Sequence, residues 1–262
     1  MNHRVHDYRY LIQRWRAVAR RAGVPLRPLC LAGGQPLFFL CTKHLQSTGG
    51  IYISAGIHGD EPAGAEALIT WAEENADRLH KLPLLLLPCL NPWGLINNRR
   101  HDEQGNDLNR SFHRDDLPVI SALKTLVAQH QFHVALHLHE DYDAQGLYLY
   151  EVGRARPFWG DELLAAARPH IAIDGRLWID GRKAHAGLIR PRVDLKKYNK
   201  IGCPEALWMR NHHTDRALTA EAPSEFALDQ RIRGLKAIIE ECVKRAVYGF
   251  QLTDASRRSR SL

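Results

Sequence analysis

The stretch 51-IYISAGIHGDEPAGAEALITW-71 decides the fold. Residues 51-IYISAG-56 read as a buried strand. A glycine-rich corner then carries His58, Asp60 and Glu61. Helical spacing follows over 61-EPAGAEALITWAEENADRLH-80, with Pro62 in the first turn, where a missing N–H does no harm. A strand leading through a tight corner into a helix is the repeating unit of α/β folds, and ligands in such folds gather where strands end. An imidazole and a carboxylate three residues apart at that corner can converge on one point.

Outward from this stretch the chain alternates strands and helices. Residues 7–23 have helical apolar spacing and stop at Gly23. Strands are expected at 27–32 and 36–43, joined at Gly33–Gly34 as a hairpin, and at 83-PLLLLPCL-90. A helix is expected at 117–130, strands at 133-HVALHLHE-140 and 147-LYLYEV-152, and a helix at 158–169. Residues 170–204 carry no clear pattern. Strands at 206-ALWMRN-211 and 217-ALTAEA-222 precede a final helix at 225–247. The expectation is one α/β domain, a three-layer α/β/α sandwich around a mixed, mainly parallel sheet, over residues 1–249. A basic, disordered tail covers 250–262. The segment 91-NPWGLINNRRHDEQGNDLNRSF-112 reads as a long irregular loop, and loops of that length in compact domains are usually functional or disordered.

Composition excludes several classes. The 262 residues are 45% hydrophobic, enough for a large core. The longest apolar run, 82–90, is too short to span a bilayer, and the polar N-terminus lacks a signal-peptide core; a cytoplasmic location is expected. Five cysteines (30, 41, 89, 203 and 242) form no CxxC pair and read as reduced core thiols. The net charge of +7 is concentrated in six arginines within residues 1–23 and three in the tail. Without aromatic interleaving or a known module, these read as a solvated helix face and tail. No specific nucleic-acid or membrane partner is expected.

Polar clusters close three apolar strands: His58/Glu61, His139/Glu140 and Glu221. Zinc takes imidazole nitrogen and carboxylate oxygen, and catalytic zinc keeps three protein ligands. His58 and Glu61 supply two. His137 and His139 share a strand face, but His139 ends the strand and is chosen as the third. His137 reads as a hydrogen-bonded core histidine, with a second-metal role as the lesser option.

Taken together, HGDE (58–61), NPWG (91–94), Arg100, GNDLNRSF (105–112), LHLHED (136–141) and TAEAP (219–223) resemble the zinc carboxypeptidases of the M14 type, in that family's order. The resemblance implies one Zn²⁺ per chain on His58, Glu61 and His139. It makes Glu221 the general base and acid, and Arg100 the group that polarises the scissile carbonyl. Asn109 and Arg110 would grip the substrate's terminal carboxylate, and Asp107 would orient the first zinc histidine. The family's substrate-covering tyrosine has no fixed counterpart: Tyr198 and the segment 211-NHHTDR-216 are the nearest candidates. The stretch 181–200 reads as a specificity or lid region, and the compact chain implies that some substrate-enclosing loops are missing.

Two substrate classes follow. One is a small peptide losing its C-terminal residue. The other is an N-acyl amino acid, because succinylglutamate desuccinylases and aspartoacylases resemble this chain in HGDE, DLNRSF and the LH strand. The segment 138–151 and the proline after TAEA favour the peptidase. A third reading is a non-catalytic basic binding module that keeps the fold. Sequence alone leaves the oligomeric state open.

Overall fold

Near-continuous apolar strands build the centre of the molecule. The computed structural model describes residues 4–193, 198 and 202–258, with side chains to residue 248. Its strands are β1 (Leu26–Ala32), β2 (Gln35–Cys41), β3 (Ile51–Ala55), β4 (Leu84–Leu87), β5 (Val134–Asp141), β6 (Tyr148–Gly153), β7 (Trp178–Ile179), β8 (Arg182–Lys183), β9 (Leu188–Ile189) and β10 (Arg216–Pro223). Eight form one sheet in the order β1-β2-β4-β3-β5-β10-β6-β9, while β7 and β8 pair separately. The central run β4, β3, β5 and β10 is parallel, β1, β2 and β6 join it antiparallel, and β9 pairs parallel with β6. β3 and β4 are buried along their whole length, as parallel strands covered on both faces must be.

Alternation along the strands separates two cores. Ile51, Ile53, Leu136, Leu138, Leu218 and Ala220 face the helices Tyr8–Ala22, Pro62–Glu74, Gly160–Ala167 and Leu228–Arg258. Tyr52, Leu85, Leu87 and Ala135 face the helices Pro118–Val127 and Glu205–His212. The three-layer α/β/α expectation therefore holds. His137, His139, Thr219 and Glu221 have the parity of the second face.

Local differences have local causes. Residues 206–211, expected as a strand, belong to the helix Glu205–His212. Pro204 breaks the chain before it, and the Asn109 side chain accepts the Glu205 N–H at 3.1 Å, meeting one of the donors a helix start leaves open. The segment 91–112 is not irregular throughout: it holds the helix Pro92–Asn97 and a 3₁₀ turn Leu108–Arg110, capped by the side chains of Asn91 and Asp107. The helix expected over 61–80 is divided at Asn75, whose side chain turns back to the Trp71 carbonyl. The last helix runs to Arg258, into the segment read as a tail, and residues 259–262 lie outside those described.

The first helix is not simply a solvated basic face. Arg14 is largely buried, at 2.7 Å from Glu66 and in a two-pronged contact with Glu73, so it docks the helix onto Pro62–Glu74. All five cysteines are free thiols. Among the described residues, no helix is long and apolar enough to cross a membrane.

Candidate metal centre and its cleft

β3 stops at Ala55, and the chain turns so that His58 and Glu61 sit at the mouth of the sheet. The turn is tight because two backbones touch. A Cβ on Gly59 would fall 1.9 Å from the carbonyl carbon of Gly94. The HGDE corner is thereby seated against the NPWG helix, and neither glycine tolerates a side chain. Asn91 secures the next segment: its Oδ1 accepts the Gly94 N–H at 2.8 Å, and its Nδ2 donates to the carbonyls of Arg100 and His101 at 3.3 and 3.0 Å.

Five of the expected residues meet in one knot. Glu61 Oε1 lies 2.6 Å from His58 Nδ1, and Glu61 Oε2 lies 2.9 Å from His139 Nδ1. Arg100 donates to Glu61 Oε1 and to Asp107 Oδ2, both at 3.2 Å. Asp107 Oδ1 stands 3.2 Å from His58 Nε2, which leaves Nδ1, the nitrogen beside Glu61, as the candidate ligand atom of that ring. Ligand atoms of His58, Glu61 and His139 all lie within 4.8 Å of one another, and all three residues are buried. Two imidazole nitrogens and one carboxylate oxygen are a zinc donor set, so the residues present fit the ion.

The surroundings shift the protons. Burial opposes charge on His58, but Glu61 and Asp107 outweigh it and raise the pKa to about 9. Burial holds His139 below the ordinary histidine value. Burial works against ionised Glu61 as well, yet the two histidines hold its carboxyl well below the usual range. Glu221 goes the other way: burial, then the charges of Glu61, Asp141 and Asp180, push it well above the carboxylate range, with Arg100 opposing.

Glu221 pairs with His139 in the β10–β5 register. Beside them opens a cavity of about 150 Å³ whose walls include Asn109, Arg110, His139, Glu221 and Tyr198. Four of the expected residues, Asn109, Arg110, His139 and Glu221, line this cavity, and His139 joins it to the knot of His58, Glu61, Arg100 and Asp107. Of the tyrosine candidates, Tyr198 lines it, with its hydroxyl accepting from Arg182 at 2.9 Å. The segment 211–216 does not: residues 211–215 border a separate cavity with Gln131 and His133. His137 is the hydrogen-bonded core histidine, 3.0 Å from the Ser54 hydroxyl and 3.3 Å from Glu205. No second cluster of metal-ligating side chains occurs among the described residues.

Sequence reading missed part of the wall. Tyr150 and Asp180 also line the cleft, beside Arg182 from the 181–200 stretch read as a specificity region. Asp180–Gly181 forms the two-residue turn between β7 and β8, both at positive φ (48° and 65°). The Asp-Gly pair was the available signal for this hairpin, inside a stretch that otherwise showed no pattern. Tyr150 donates to Asp180 at 2.6 Å.

Known proteins can be set beside this geometry. The family model of the succinylglutamate desuccinylase/aspartoacylase catalytic domain matches residues 47–168. Carboxypeptidase 2 of Trichophyton rubrum is 29% identical over 100 residues, covering 34% of this chain and 18% of the fungal protein. The chain thus matches less than a fifth of that relative's length. Among solved structures, a Shewanella amazonensis protein provisionally termed a metallopeptidase superposes with a TM-score of 0.81 at 22% identity, covering 92% of this chain and 94% of that one. A metallo-carboxypeptidase from Burkholderia cenocepacia gives 0.68 at 15% identity, over 93% and 69% of the two chains. At these identities the structural likeness is one of fold.

Proposed function

We propose that this chain, which resembles the M14-type zinc carboxypeptidases, is a zinc-dependent hydrolase that removes the C-terminal residue of a small peptide. The observation that carries this reading is the placement of Glu221 beside His139 at one end of a cleft that reaches Asn109 and Arg110.

His58, Glu61 and His139 would hold one zinc ion, which when bound would supply Lewis-acid activation of water at neutral pH. Asp107 holds the His58 ring through Nε2, so that Nδ1 would be the atom offered to the metal. The charge of a bound cation would offset the burial and the acidic neighbours that raise the Glu221 pKa, and the ionised carboxylate then takes a proton from the attacking water and returns it to the leaving amine. Arg100, partly exposed at the cleft, stabilises negative charge as it builds on the scissile carbonyl oxygen, a role worth about 3 kcal/mol. Arg110 offers a planar guanidinium and Asn109 an amide to the terminal carboxylate. Tyr198 and the β7–β8 turn wall the side-chain space.

The second reading is an N-acyl amino acid deacylase with the same chemistry. It is favoured by the family model matched over 47–168. Both substrates end in a free carboxylate, so the same grip serves either. The test is direct. Zinc content is measured by elemental analysis, and release of free amino acid is followed from C-terminally free dipeptides and tripeptides, from C-terminally amidated versions, and from N-succinyl and N-acetyl amino acids. Turnover of free-ended peptides alone is expected. Turnover of the N-acyl amino acids alone would replace the peptidase with the deacylase. Absence of zinc after reconstitution would overturn both.

A further inference from the structure

Next to the cleft lies a second polar cluster that the proposed chemistry does not use. Glu205 opens the helix Glu205–His212 and is fully buried. Its Oε1 accepts from the Tyr52 hydroxyl at 2.5 Å, and its Oε2 from the Ser54 hydroxyl at 3.1 Å. His137 Nδ1 lies 3.3 Å from the same Oε2. Ser54 and His137 are register partners on β3 and β5, so the carboxylate is bolted to the middle of the sheet. A carboxylate in such a place costs several kcal/mol unless its lone pairs are met, and here they are met on both oxygens.

The backbone end of Glu205 reaches the cleft through Asn109. Its backbone N–H donates to Asn109 Oδ1 at 3.1 Å. An N–H can meet only an acceptor, so the amide of Asn109 must turn its oxygen to the helix. Its Nδ2, a pure donor, is left for the cleft that Asn109 lines. Were the amide reversed, an oxygen would meet the substrate carboxylate and repel it.

We propose that Glu205 is a positioning residue for substrate binding: its buried carboxylate pins the start of the helix, and the first N–H of that helix holds Asn109 with its amide donor toward the substrate's terminal carboxylate. The inference rests on the reading of Asn109 as part of the carboxylate grip. Glu205 itself touches no substrate. Its loss acts on binding in ground and transition states alike, so it raises KM and spares kcat.

The test uses the zinc-loaded full chain. Glu205→Ala should raise KM for a C-terminally free peptide about tenfold, the equivalent of one hydrogen bond, with kcat within about twofold. Zinc content should not change. Glu205→Gln keeps an oxygen for Tyr52 and should restore KM to within about threefold. In an Asn109→Ala background, Glu205→Ala should add nothing further. A second readout is independent of turnover. The side-chain NH₂ of Asn109, assigned by its loss in Asn109→Ala, should be rigid by nitrogen-15 relaxation in the native protein and mobile in Glu205→Ala.

An unchanged KM in Glu205→Ala, an additive effect in the Asn109→Ala background, or an Asn109 amide equally rigid in both proteins would overturn the proposal. If Glu205→Ala does not fold, Tyr52→Phe with Ser54→Ala removes two of the donors and keeps the carboxylate. That variant should show the same KM rise, and a native KM in it would overturn the proposal too. If the native protein cleaves neither peptides nor N-acyl amino acids, the functional reading fails, while the relaxation measurement still decides the role of Glu205.

Discussion

Glu61 and Glu205 are both buried carboxylates at the start of a helix, and both contact a histidine through Nδ1. Their neighbours make them different objects. Glu61 is bracketed by two imidazoles, with Arg100 and the Glu140 N–H as further donors. The imidazole nitrogens can give up their protons and turn lone pairs to a cation. Glu205 is met by two hydroxyls and one imidazole. Hydroxyls donate and stay, so this carboxylate is saturated by the protein itself. The partner type, more than burial or charge, separates a carboxylate ready to bind a metal from one that fastens a helix.

Experiments can strain that contrast. The largest effect is expected from His58→Ala, which should strip the zinc and abolish turnover, while His137→Ala keeps the metal; elemental analysis distinguishes them. Equal metal loss in both would erase the difference between the two clusters. Glu221→Gln should retain zinc and lose about 10²–10⁴-fold in kcat, the usual share of general acid–base catalysis. Normal turnover in that variant would remove Glu221 from the mechanism. Arg100→Ala should lose about 10²–10³-fold in kcat, read in the same assay.

Acidity sharpens the comparison further. The raised His58 pKa, about 9 without metal, stabilises the metal-free fold fully below the unfolded histidine value; that contribution fades as pH rises through about 9. Zinc must displace this proton, whereas His139, held down by burial, is already neutral. Zinc affinity should therefore rise about tenfold per pH unit between pH 7 and 9. Titration with a competing chelator measures it, and a flat profile would mean that His58 carries no proton to displace. The smallest effect belongs to the closed cluster. Tyr52→Phe leaves Glu205 Oε1 without a donor and should cost about 1–3 kcal/mol of stability in urea unfolding, with no change in zinc content.

Much of this was legible because the ligands sit where apolar strands stop. Ile51–Ala55 and Val134–Leu138 announce buried strands, and a histidine or glutamate just beyond them has little reason to be there except chemistry. The motif order then linked the ends in space. What could not be read was decided across the fold. Ala206–Asn211 is as apolar as a strand, and it becomes a helix because Pro204 and the Asn109 cap come together there. Glu205 is a polar residue after a proline, with nothing local to mark it. Its partners at 52, 54 and 137 are far away in sequence, and no local pattern links them. The cleft wall at Tyr150 and Asp180 is likewise assembled from a separate strand and a short turn.

The contact between Gly59 and Gly94 bears on how fast the protein can be charged with metal. With the two backbones touching, the corner carrying His58 and Glu61 has no slack to take up. At the proposed metal site an arriving ion would find its ligands in place. No loop has to be ordered first, and none of the binding energy is lost to that ordering. Any side chain larger than hydrogen at either glycine would prise the corner from its seat and turn a rapid capture into a slow, conformationally gated one.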